Sequence, residues 1–111
     1  MIESIKSSIE GFKLLITDDF SCYSDVTTRA ENKIKSLEIL AEENDEEAIE
    51  GIKLLKTFLH ECGKYAEKMN KLQQKETLYE ETLRKIQSPA QKEFVLKKLE
   101  QIEAEKKKFY A

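Results

Sequence analysis

Ile2, Ile9, Ile16, Tyr23, Ala30 and Leu37 follow one another at intervals of seven residues without exception. Ile5, Phe12, Val26 and Leu40 occupy the intermediate position of the same repeat. Asp19 and Lys33 interrupt it, and in each case the next residue, Phe20 or Ile34, is apolar. An interval of seven with two apolar positions keeps one side of an α-helix against a neighbouring helix, whereas a half-buried strand needs an interval of two. The pattern predicts one continuous helix from about residue 3 to 43. The segment Thr17-Asp18-Asp19-Phe20-Ser21 opposes it, because Thr, Asp and Ser side chains compete for backbone hydrogen bonds. A break there would ordinarily shift the heptad phase, and the phase is kept. Continuity is therefore the expectation. A break at residues 17–20, folding the first segment over the rest as a four-helix bundle, is the alternative.

The first helix should stop near Glu43-Asn44-Asp45, where Asn44 or Asp45 can cap its successor and Glu46 and Glu47 suit the positive end of the helix dipole. A second helix is expected over about 46–87. Its seam reads Ile52, Leu55, Leu59, Cys62, Ala66 and Met69, then slips in phase through Leu72 to Tyr79, Leu83 and Ile86. Ser88-Pro89-Ala90-Gln91 combines an N-cap, a proline suited to the first helical position and a capping-box glutamine. A third helix should run from there to about 110, with a stripe of Val95, Leu99, Ile102 and Phe109 and with Phe94 beside it. The fold class is thus all-α: an antiparallel hairpin of two long helices, each about 60 Å at 1.5 Å per residue, plus a shorter third.

Length and composition agree with this. A chain of 111 residues holds a single helical domain, 1–111. Hydrophobic residues at 40% suffice for a core, and 37% charged residues with three glycines and one proline fit long helices rather than a many-turned β-fold. The net charge of −3 argues against nucleic acid as a partner. Acidic residues dominate over 1–44 and basic ones over 84–111. Two cysteines are too few for a disulfide framework. Met1 to Lys6 lack a basic region followed by an apolar run, and no apolar stretch approaches a membrane span. The expected location is cytoplasmic.

A turn centred near residue 44 pairs Tyr23 with Tyr65, Ile16 with Leu72 and Ile9 with Tyr79. The third helix would then cover only the half of the hairpin far from that turn. Near the turn the second helix carries a second apolar line, Leu54, Phe58 and Tyr65, and nothing in this arrangement covers it. These residues are the expected protein interface, with a second copy of the chain as the simplest partner and another helical protein as the alternative. Expected core residues are Ile9, Phe12, Ile16, Tyr23, Leu37, Ile52, Leu59, Cys62, Met69, Leu83, Leu99 and Ile102.

Catalytic chemistry is poorly served. His60 is the only histidine. His60-Glu61-Cys62 matches metal ligands by type, but consecutive helical residues point about 100° apart and cannot converge on one ion. Neither Cys22 nor Cys62 has an adjacent Lys or Arg to lower its pKa. No glycine-rich phosphate loop occurs, and one histidine cannot furnish a di-iron bundle. Glu42, Glu43, Asp45, Glu46, Glu47 and Glu50 form an acidic tip that is either solvated or open to a basic partner. Lys106-Lys107-Lys108-Phe109-Tyr110 is either a solvated helix end or a contact for anionic lipid or an acidic protein.

These readings imply no enzyme and no cofactor, but a non-enzymatic interaction module, a scaffold or adaptor that dimerises through the second helix. The layout of long antiparallel helices with a dimer seam resembles BAR-type domains, which would imply membrane contact. The chain is about half the length of such a domain, and its acidic tip departs from their basic ones. A small secretion or assembly chaperone holding a client helix is the third reading.

Overall fold

The computed structural model describes residues 1–109 and is helical throughout, with no strand among the described residues. Helix α1 spans Ile2–Asp18, α2 Tyr23–Ala41, α3 Glu46–Lys85 and α4 Pro89–Lys106. A single 3₁₀ turn, Phe20–Cys22, lies between α1 and α2. The expected continuous first helix is therefore two helices. The expected end of the last helix near 110 falls instead at Lys106, and residue 110 lies outside the described residues. Among the described residues no helix is long and apolar enough to cross a membrane.

The break has a local cause. Asp19 leaves the helical region for extended backbone (φ −144°, ψ 103°). Its Oδ1 accepts from the Ser21 N–H at 3.0 Å and the Ser21 hydroxyl at 2.7 Å. These bonds hold the carboxyl below its usual pKa. Such side-chain-to-backbone bonds compete with the helical ladder, so the helix ends and restarts. The connection to α3 is as short as expected. Asn44 adopts a left-handed conformation (φ 62°), which asparagine tolerates better than most residues. Asp45 then caps α3, its Oδ1 accepting from the Ala48 N–H at 3.1 Å.

The chain divides into two compact units, residues 1–64 and 65–111. In the first, α1, α2 and the opening turns of α3 pack together. Ile5, Ile9 and Ile16 are buried from α1; Val26, Ala30, Ile34 and Leu37 from α2; Ala48, Leu55, Phe58 and Cys62 from α3. Gly51 marks the closest approach. A Cβ placed there would lie 2.5 Å from Ile5 Cδ1 and 3.1 Å from Leu37 Cδ1. Phe12 stacks on Phe58 at 5.9 Å between centroids. Ile5 facing Gly51 and Phe12 facing Phe58 keep one constant offset, so α1 and α3 run in the same direction here. Ile9 shares a recess with Leu54 and Phe58, not with Tyr79 as a two-helix hairpin would require. Leu37 beside Gly51 does match a reversal near residue 44.

In the second unit α4 returns along the remainder of α3. Tyr65, Met69, Val95 and Ile102 are buried, while Leu72, Tyr79, Leu83, Ile86 and Leu99 are half-buried. Pro89 opens α4 as expected, but the Ser88 hydroxyl makes no capping bond, so the expected capping box does not form. The Ser88 carbonyl accepts from Lys92 N–H at 3.0 Å, and proline's fixed φ suffices to start the helix. Of the expected core, Ile9, Ile16, Leu37, Cys62, Met69 and Ile102 are buried. Phe12, Tyr23, Ile52, Leu59, Leu83 and Leu99 are half-buried.

Candidate functional site

The three residues expected to be left uncovered are placed otherwise. Phe58 is 1% exposed and lies under Phe12 of α1. Tyr65 is 2% exposed. Its hydroxyl donates to the Lys106 carbonyl, and its ring stacks on Phe109 at 5.3 Å. Burial pushes its pKa up, with Lys106 opposing. Leu54 is half-buried and lines a shallow recess with Lys6, Ile9 and Lys13. The premise that nothing covers this stripe fails for a physical reason. Once the chain reverses at Asp19, α1 supplies to Phe58 the second neighbour that one long helix could not.

At the acidic tip, Glu42, Glu43, Glu46, Glu47 and Glu50 are exposed, while half-buried Asp45 is committed to its capping bond. His60 is exposed. Cys62 is wholly buried, and burial pushes its thiol up to about 12, with Glu61 adding and Lys13 opposing. A wholly buried thiol packs as a small apolar side chain. Cys22 is half-buried and both thiols are free. Among the described residues no three His, Cys, Asp or Glu side chains gather as a metal site.

The feature that residue patterns did not reveal lies in the second unit. Leu78, Tyr79 and Thr82 of α3, with Ile86 just past its end, face Ala90, Gln91, Phe94 and Val95 across an open groove of about 660 Å³. Leu78 is 63% exposed and Phe94 60%. The Thr82 hydroxyl donates to the Leu78 carbonyl at 2.8 Å within its own helix, so it adds no unmet donor to the lining. Two helices can each turn only one side toward the other, and an apolar stripe wider than that side remains in water. The signal was present in sequence. Leu78 falls beside the seam residue Tyr79, and Phe94 beside Val95.

Beyond Tyr79 a smaller recess of about 220 Å³ continues along the same two helices, lined by Leu72, Lys75, Tyr79, Lys98, Gln101, Ile102 and Glu105. Glu105 is already engaged, 3.8 Å from Lys68 and 3.1 Å from Lys108. Lys98 Nζ lies 5.4 Å from the Phe94 ring centroid. Among the described residues no carboxylate comes within ion-pair distance of Lys75 or Lys98. The Lys106 ammonium, expected as part of a solvated basic end, instead donates to Glu76 Oε2 at 2.6 Å and Glu103 Oε1 at 3.3 Å. Burial works against its charge, and the bonds to the two carboxylates outweigh it, leaving the pKa raised. Lys68 donates to the Lys108 carbonyl at 2.8 Å. These contacts fasten the end of α4 to α3.

No protein-family model, curated protein or solved structure matches this chain.

Proposed function

We propose that this chain is a non-enzymatic helical interaction module, a scaffold or adaptor, whose docking surface is the groove between the end of α3 and the start of α4. The observation that carries the reading is the exposure of Leu78 and Phe94 on the two walls of one apolar groove. Large apolar side chains held in water are costly, at about 25 cal/mol per Å² of surface that could be buried. An aromatic and an aliphatic anchor facing one another are the usual centre of an association surface. The occupant that fits is an amphipathic helix of another protein, laid lengthwise between α3 and α4 with its apolar side inward.

Self-pairing through Leu54, Phe58 and Tyr65 has lost its support, because Phe58 and Tyr65 are covered by their own chain. The test uses the full chain and a fluorescein-labelled synthetic amphipathic helix with a leucine and alanine face and glutamine flanks. Saturable binding is expected, abolished by the double change Leu78→Asp, Phe94→Asp with helicity by circular dichroism unchanged. Absence of saturable binding would overturn the reading. So would a light-scattering mass of twice 12.9 kDa that falls to the single-chain value in the double variant, because the occupant would then be a second copy.

A further inference from the structure

We infer that the helix received by this groove is acidic along the side that meets Lys75 and Lys98; the inference rests on the groove being a docking surface. Both lysines line the recess that continues the apolar groove past Tyr79, so one helix lying along α3 and α4 would meet the apolar walls first and the two ammonium groups next. The three lysines that fasten the end of α4 to α3 are answered from within the chain. Lys106 has Glu76 and Glu103, while Lys68 and Lys108 share Glu105. Among the described residues no carboxylate answers Lys75 or Lys98, and the one carboxylate lining their recess, Glu105, is held by Lys68 and Lys108. Lys98 is further held over the ring of Phe94, the residue that forms the groove wall. Charge and apolar anchor thus sit side by side, and this pairing sets which helices are accepted more than how tightly a helix can be held.

Three synthetic helices with one apolar face distinguish the possibilities, their flanking positions all Glu, all Gln or all Lys. Titrated against the full chain at low salt, the Glu helix should bind about tenfold more tightly than the Lys helix, the range two surface ion pairs can supply. The preference should shrink toward unity near 0.5 M salt as the charges are screened. The double change Lys75→Glu, Lys98→Glu should reverse the order while leaving the Gln helix unaffected. Equal binding of all three, abolished by Phe94→Asp, would overturn the charge assignment and leave the groove reading standing. Binding of none would overturn both. Co-sedimentation with phosphatidylserine vesicles that is lost in the lysine variant, with no peptide bound, would replace the helix by a lipid surface and overturn the inference as well.

Discussion

Phe58 and Phe94 are the same side chain on the same kind of helix, and the first is buried while the second stands in water. What separates them is the number of neighbours their helices have. In residues 1–64 three helical segments pack together, and α1 lays Phe12 over Phe58. Among the described residues of the second unit only α3 and α4 meet, so within that unit no third helix stands over the side of α4 that carries Phe94. A broad apolar stripe is core where a third helix stands over it and stays in water where none does.

That contrast can be broken most sharply at the two phenylalanines. Phe58→Ala should cost about 3–5 kcal/mol, the usual range for a buried aromatic, read as a fall in urea midpoint. Phe94→Ala should change stability by no more than about 0.5 kcal/mol. Similar losses at the two sites would mean that Phe94 is core and the groove closed. Gly51→Ala probes how tightly the first unit is packed. The new methyl group meets Ile5 and Leu37, and an overpacked core typically loses about 1–3 kcal/mol. A stabilised variant, as expected of Gly→Ala at an open helical position, would show that α1 gives way freely there.

The smallest effect concerns the reversal that creates the first unit. The folded-state pKa of Asp19 is depressed, so its stabilising contribution is present above the ordinary value of 3.8 and is lost as pH falls through the folded value. Urea midpoints taken at pH 6 and pH 2.5 should therefore converge in Asp19→Ala relative to the unaltered chain. An identical acid loss in both would mean that the Ser21 bonds contribute nothing to the turn.

The helical class, the turn near residue 44 and much of the inner face of α1 and α2 were legible in the residues. Ile9, Ile16, Ala30 and Leu37, all in the seven-residue series, are buried. The same series hid the reversal. The residues from Asp19 to Cys22 amount to about one helical turn, so the apolar stripe resumes in phase after the chain changes direction. Periodicity reports which side of a helix faces inward and is silent on where the axis points. Thr17-Asp18-Asp19-Phe20-Ser21 was the better guide, because its chemistry acts on the backbone directly. The candidate site inherited the error. Leu54, Phe58 and Tyr65 were read as a second apolar side, but Phe58 is covered by α1, whose direction the pattern hides, and Tyr65 by the end of α4. Leu78 went unnoticed and Phe94 reads only as a companion of the Val95 stripe, because each neighbours a seam residue.

The shared direction of α1 and α3 has a consequence for how the chain is made. Antiparallel neighbours such as α3 and α4 can meet soon after the turn between them is complete. Ile5 cannot touch Gly51 until α2 has carried the chain back and α3 has begun. At about 5–20 residues added per second, the interval between the two residues is a few seconds. During that time α1 and α2 have only each other, and the side of α1 destined for Phe58 is bare on the growing chain. Ser7, Ser8, Glu10 and Lys13 alternate with the isoleucines of α1. Ser7, Ser8 and Glu10 are exposed off that stripe and keep the rest of the helix wetted while it waits.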